Sequence, residues 1–411
     1  MKFKFDNISI CLYLYLLLKP FYINMSGTIQ ISDIFILIAF VILLLQKKEK
    51  NEDILVKKML KEYKFFLLFI LFVFFINIIG YLLHSTNDFI TSTLYYVFIA
   101  IGIYVFIHKI TDKKFLNNIY YISIFNIIEQ FVILILGMGR YYSAGRYMGT
   151  FNDPNQFGFF VVLMIMFLYT IKNILNKSSK GFIISFLIGI YMIFESASTG
   201  MILAISSFII IQIWCNISNI SKNIKKYSKK IFYVLIIITI LILGFYIKYY
   251  TEPEFKNSVN TIIYNKIINT SIYNRLLGKF DKIETSTMNI LEDRHLEQIV
   301  DYPQYLIIGA GQGDYNRFTD GRYYGEIHST LPSILFYYGI IPFMVLMYWI
   351  YCNLKGIKLK QMSVYIAILI ESFTLINQRQ LLLWVLLIMA NLYKINKEDK
   401  KKENNQYEEN I

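Results

Sequence analysis

Apolar residues run through this chain in long blocks that charges interrupt only at their ends. Phe65 to Leu83 and Ile90 to Ile107 hold no charged side chain and reach the ~20 residues a helix needs to cross a bilayer. Further blocks follow at Ile8 to Tyr22, Ile29 to Leu45, Ile119 to Gly139, Asn155 to Ile171, Gly181 to Phe194, Gly200 to Ile217, Ile231 to Ile247, Ser329 to Tyr351, Ser363 to Ile376 and Leu381 to Tyr393. Hydropathy therefore predicts an all-α polytopic membrane protein with roughly twelve transmembrane helices.

The polar connections alternate in kind. Gln46 to Lys64 is rich in lysine, whereas Ser26 to Thr28 and Ser85 to Phe89 have none. Lysine-rich connections stay in the cytoplasm. Carried along the chain, the alternation puts Lys109/Lys113/Lys114, Lys172/Lys177/Lys180, Lys222 to Lys230, Lys355/Lys358/Lys360 and the lysines from Lys394 on that same side, so both termini are expected to be cytoplasmic. The expected organisation is helices one to nine over residues 1–247, with an arginine-bearing outer loop at 139–154; a large extracytoplasmic loop at 248–328; helices ten to twelve over 329–393; and a disordered cytoplasmic tail at 394–411. In the large loop, Thr261 to Ile268 and Glu292 to Val300 are amphipathic and predict short helices on the outer surface.

Composition agrees, with 56% hydrophobic and 17% aromatic residues, more than a soluble core requires. The net charge of +13 follows the topology and forms no basic face with interleaved aromatics, so no nucleic-acid partner is expected. The first apolar block lacks a small-residue cleavage pattern and reads as a retained helix. Cys11, Cys215 and Cys352 have no paired spacing and read as structural. No internal repeat is visible.

Arginine is distributed differently from lysine. All seven, Arg140, Arg146, Arg275, Arg294, Arg317, Arg322 and Arg379, fall on the expected outer side. A guanidinium grips phosphate oxygens through a planar fork and stays charged when partly desolvated, so a phosphate-bearing ligand at the outer face would call for this residue. The weaker alternative is that long outer loops obey no charge rule.

Two segments concentrate chemistry. From Arg140 to Gly158 the chain reads RYYSAGRYMGTFNDPNQFG, with Asp153-Pro154-Asn155 starting a helix whose N-terminal amides could help Arg146 hold an anion. The second holds Gly309-Ala-Gly311-Gln-Gly313, then Glu326-Ile-His328-Ser329, nine residues, and Gly339-Ile-Ile-Pro342. The glycine run lacks the features of a nucleotide loop, which makes close backbone packing its expected use.

Together these segments resemble the O-antigen ligase and Wzy-type polysaccharide polymerase superfamily, which has an Arg-x-x-Gly-Thr-Phe…Asn loop and a His-Asn/Ser-x9-Gly-x-x-Gly/Thr/Tyr motif beside a large external loop. His328, Ser329 and Gly339 match; Pro342 departs, and Arg146 to Gly158 is one residue longer than the family spacing. The resemblance implies a metal-independent membrane glycosyltransferase, with no cofactor, that uses a glycan on undecaprenyl diphosphate. By this likeness Arg146 and Arg294, with Arg275 as rival, would neutralise the leaving diphosphate. His328 would act as general base or orient the diphosphate. Arg140, Arg275, Arg322, Asn155 and Ser329 would bind substrate. The expected partners are the lipid-linked oligosaccharide, membrane lipid and a chain-length regulator.

The leading expectation is a polymerase that transfers the growing glycan onto the next lipid-linked repeat unit. A ligase delivering the glycan to lipid A core is the alternative, and a transporter or flippase, with broken helices and midplane charges, is the third reading. Asp33, Glu129 and Glu371 are candidates because charge is costly inside a span, with capping, snorkelling or pairing as the plainer roles. His295, beside Arg294, is not expected to bind metal, since adjacent helical residues point different ways.

Overall fold

The computed structural model describes residues 6–23, 30–46, 53–142, 145–217, 294–318 and 325–394. The apolar blocks fold as helices: α1 (Asn7–Leu18), α2 (Ile31–Leu45), α3 (Ile54–His84), α4 (Asp88–Ile107), α5 (Lys113–Ile135), α6 (Pro154–Ile174) and α7 (Ser179–Ser196). They continue with α8 (Thr199–Ile217), the short α9 (Glu297–Asp301) and α10 (Tyr305–Ile308), then α11 (Thr330–Tyr338), α12 (Ile340–Leu354), α13 (Leu359–Ser372) and α14 (Leu381–Met389). Among the described residues six helices, α3 to α8, are long and apolar enough to cross a membrane. The chain is thus a mostly helical, membrane-embedded protein. The expected span Ile231–Ile247 and the amphipathic run Thr261–Ile268 lie outside the described residues.

Leu71, Phe75, Ile79 and Leu82 of α3 recur on one helical face, and all are exposed. An apolar stripe of this size on so long a helix suits a lipid-facing surface. By contrast, α6 is the central helix, with 83% of its apolar window buried. It packs against α5, α7, α13 and α14. Its 21 residues span about 31 Å at 1.5 Å per residue, close to the hydrocarbon thickness of a bilayer.

Its start is set by the sequence. Asp153 caps it by accepting from the backbone N–H groups of Asn155 (2.8 Å) and Gln156 (3.1 Å), and Pro154 occupies the first turn, where its missing N–H costs nothing.

Two local expectations are corrected. The loop at 139–154 contains an antiparallel pair, β1 (Arg140–Tyr142) and β2 (Arg146–Gly149). Tyr147 and Gly149 face inward in β2 while Arg146 and Met148 stay partly exposed, the period of two that marks a strand. The apolar run from Ser329 to Tyr351, expected as one helix, breaks at Gly339, where φ is +78°. A side chain there would meet the backbone of Ile307 and Gly309. The glycine run fills this break: Ala310 N–H donates to the Phe336 carbonyl (3.0 Å) and Gly311 N–H to that of Tyr337 (2.7 Å). Carbonyls left open at the end of α11 are thereby satisfied away from water. Close backbone packing is the use these glycines have, with Gly311 and Gly313 also pressed on Phe89.

Of the ionisable residues within the apolar blocks, Asp33 forms a buried ion pair with Lys19 at 3.0 Å and caps its own helix through the Gln30 N–H. Glu371 is buried and accepts a hydrogen bond from Asn377. Glu129 is half-buried.

Candidate functional site

Three segments distant in sequence converge at the N-terminal end of α6. Arg146 leaves β2, donating through Nε to the Ser196 carbonyl (3.1 Å) and through Nη2 to Asn155 Oδ1 (2.8 Å). Ser198 Oγ donates to the same Asn155 oxygen (3.0 Å). The chain turns sharply between α7 and α8 at Ala197 (φ +47°), and Gly200, in the first turn of α8, touches Thr374 so closely that a methyl group would collide with the threonine side chain. Arg294 donates to the Thr374 carbonyl.

His328 is tied to the same place, its backbone N–H donating to the Arg294 carbonyl at 3.0 Å. Its imidazole lies 5.2 Å, centroid to centroid, from that of His295. Burial, then the neighbouring His295, push the His328 pKa below the ordinary value, with Arg294 adding to the effect and Glu326 and Asp153 opposing it. That Asp153 acts on His328 places the α6 cap within electrostatic range of the imidazole. A lowered pKa leaves His328 neutral near pH 7, with a nitrogen able to accept a proton.

The sequence-derived candidates separate into groups. Arg146, Asn155, Arg294 and His328 share one linked cluster. Ser329 is buried beneath it, its hydroxyl donating to the Phe373 carbonyl at 2.7 Å, while Thr330 holds the Leu375 carbonyl (2.7 Å) and accepts from the Asn377 N–H (2.8 Å). These bonds fix the loop that carries Thr374. Arg140 is exposed and donates to Asn152 Oδ1 at 2.6 Å, outside the cluster's hydrogen bonds. Arg275 and Arg322 lie outside the described residues.

The reading of His295 is corrected in one respect. Arg294 to Leu296 form a turn, with helix only from Glu297, and His295 adopts φ +54°. The helical argument that adjacent side chains diverge does not apply there, and the ring turns toward His328. Among the described residues no group of three or more His, Cys, Asp or Glu side chains could hold a metal.

A second network supports the site and gave no local signal in the sequence. Arg379 pairs with Glu326 at 2.7 Å and reaches Tyr315 Oη. Gln312 bonds Glu326, Tyr338 and, through its backbone N–H, Asn77 Oδ1. Arg317 holds the carbonyls of Ala310 and Gly311 and stacks between Phe89 and Phe318. Glu326 lies next but one to His328, so this network anchors the segment that carries the imidazole against α3, α4 and α11. Only the long-range pairing of Glu326 with Arg379 could have exposed it.

Comparison with models of known protein families, with characterised proteins and with solved structures gives no match for this chain.

Proposed function

We propose that this protein is a membrane glycosyltransferase of the polysaccharide-polymerase kind, moving a glycan from a lipid diphosphate onto a lipid-linked oligosaccharide repeat unit. The observation that carries the reading is that Arg146, bonded to Asn155 and the Ser196 carbonyl, and Arg294, bonded to the Thr374 carbonyl and to the backbone of His328, are linked through the contact of Gly200 with Thr374 near the capped end of α6. In this reading an acceptor sugar hydroxyl attacks the anomeric carbon of the donor while His328 takes the hydroxyl proton. A new glycosidic C–O bond forms, the C–O bond to the diphosphate breaks, and the diphosphate leaves with the electron pair. Arg146 and Arg294 face the charge that develops there, where preorganised donors lower a barrier most. The neutral state of His328 favours a proton acceptor over a cation that orients phosphate.

An apolar cavity of about 280 Å³ adds support. It begins at Thr330 and Ser372, beside the residues that follow His328, and runs between α12, α13 and α14 past Met347, Ile350, Trp384 and Leu387. An isoprenoid tail seated there would bring its diphosphate to the arginine cluster. The catalytic face would lie outside the cytoplasmic membrane, as the lysine distribution implies.

One observation favours the transporter reading, the helix broken at Gly339, since broken helices line many transport sites. Here the break is filled by the chain's own glycine run, which leaves no room for cargo at that point. The deciding experiment incubates the purified protein with its undecaprenyl-diphosphate-linked repeat unit and separates the products by gel. A ladder with wild type and none with His328→Ala supports transfer. Unchanged substrate with both would turn the assignment to the ligase or to transport.

A further inference from the structure

The opposite end of α6 holds a second cationic region that the transfer chemistry does not use. A cavity of about 420 Å³, within the range of small-molecule sites, lies between the C-terminal ends of α6 and α8 and the N-terminal ends of α7 and α13. Lys172 and Lys360 flank it. Their ammonium groups are close enough for Lys172 to feel the charge of Lys360. Among the described residues neither forms an ion pair with a carboxylate: Lys360 Nζ donates to Asn216 Oδ1 (3.0 Å), and Lys172 Nζ sits 5.2 Å from the Phe182 ring centroid and 5.8 Å from that of Tyr169. Two like charges that act on one another without a carboxylate partner favour an anion near both.

Ser179 and Lys360 belong to the first turns of α7 and α13, whose positive ends offset the negative C-terminal ends of α6 and α8 at the same cavity, so its net positive charge comes from the two lysines. Tyr169, Gln212 and Ser363 all donate to the Lys360 carbonyl, which fixes the start of α13 against α6 and α8. The remaining wall is apolar, formed by Phe182, Ile183, Phe186, Phe208 and Ile213. Ile183 is 50% exposed and Ile213 52%, so this wall is continuous with the lipid-facing surface.

We propose that the cavity binds an anionic phospholipid of the surrounding bilayer, its headgroup phosphate between Lys172 and Lys360 and one acyl chain along the wall formed by α7 and α8. Basic pockets between membrane helices have this use on the cytoplasmic side, the side to which the lysine pattern assigns these residues. The ammonium pair supplies charge and the open apolar wall selects a lipid over a soluble anion. Because α6 joins this cavity to Asp153 and Asn155, the bound lipid would also fix the depth of the helix that carries the arginine cluster. The inference does not depend on what reaction that cluster performs.

The test is native mass spectrometry of the full chain, delipidated in detergent and titrated separately with phosphatidylglycerol and phosphatidylcholine. The wild type is expected to retain one phosphatidylglycerol at concentrations about 30-fold below those needed for phosphatidylcholine, the preference that about 1 kcal/mol per lysine gives. K172Q/K360Q should lose that preference, while K113Q/K114Q, which removes equal charge at the start of α5, should keep it. Millimolar inorganic phosphate should not displace the lipid. Equal retention of the two lipids by wild type, preference persisting in K172Q/K360Q, equal loss in K113Q/K114Q, or displacement by phosphate would each overturn the proposal.

Discussion

The two ends of α6 hold positive charge in different ways. At the end capped by Asp153, Arg146 and Arg294 are set in direction by bonds to the Ser196 and Thr374 carbonyls and to Asn155, and an imidazole stands beside them. At the other end Lys172 and Lys360 border an apolar cavity, with no histidine among its lining residues. A guanidinium in a fixed hydrogen-bonding frame can meet a particular oxygen of a reacting group, whereas a lysine ammonium acts as a mobile point charge. On the proposed reading, the difference teaches that cations suited to chemistry and cations suited to retention can gather at opposite ends of one helix, distinguished by how far their geometry is fixed.

The largest break in that comparison comes from removing the chemistry. Arg294→Ala and His328→Ala are each expected to lower the initial rate of glycan transfer by roughly 10²–10³-fold, measured with the lipid-linked repeat unit in detergent. Neither should alter phospholipid retention. Arg146→Lys keeps the charge but loses the fork, and a fall in rate there would tie activity to direction as well as sign.

Next comes Gly200→Ala. The added methyl pushes on Thr374, whose carbonyl holds Arg294, so the rate should fall by about 10-fold or more, since small misplacements near reacting groups are costly. Thr374→Ala, which removes the hydroxyl that the new methyl would meet and keeps the backbone carbonyl that holds Arg294, should restore much of it when combined with Gly200→Ala. A rate unchanged in Gly200→Ala would separate Arg294 from the start of α8.

Gly339→Ala tests the frame beneath the site. At φ +78° and ψ 174° the backbone lies in a region essentially confined to glycine, costing a residue with a side chain roughly 1–3 kcal/mol, and the methyl would also meet backbone of Ile307 and Gly309. A lower Tm in detergent is expected, with the transfer rate falling at temperatures where the wild type is intact.

The smallest effect sharpens the role of His328. Its pKa lies below the ordinary imidazole value of about 6.5, so its neutral form persists as pH falls through that value and is lost only at lower pH. The transfer rate should therefore hold down to pH 6.5 and decline below it. His295 contributes to the lowering, so His295→Gln should move the acid limb upward, toward neutral pH. A limb that stays in place would remove His328 as the titrating base.

Much of this was legible in residue order. Charge-free blocks such as Phe65 to Leu83 fold as helices because they have no other way to satisfy their backbone in lipid. Asp153-Pro154-Asn155 marked the start of α6 by capping chemistry alone, and the Gly309 run pointed to close backbone packing. The break at Gly339 was hidden because apolar residues continue on both sides, leaving one glycine as the only sign. The hairpin at Arg140–Gly149 was hidden by its brevity. His295 was misread because a left-handed backbone at a histidine cannot be anticipated from its neighbours, and the Glu326–Arg379 pair because charge partners far apart in sequence leave no local pattern.

The central claim is that Arg146 and Arg294, brought together only by folding, act on one leaving group. A double-mutant cycle with Arg146→Lys and Arg294→Lys, read as the initial rate of glycan transfer by the purified chain, tests it most directly. Residues that serve the same developing charge should show coupling, the double variant losing less than the product of the single losses by about threefold or more. Strictly multiplicative losses, or full activity in either single variant, would contradict it.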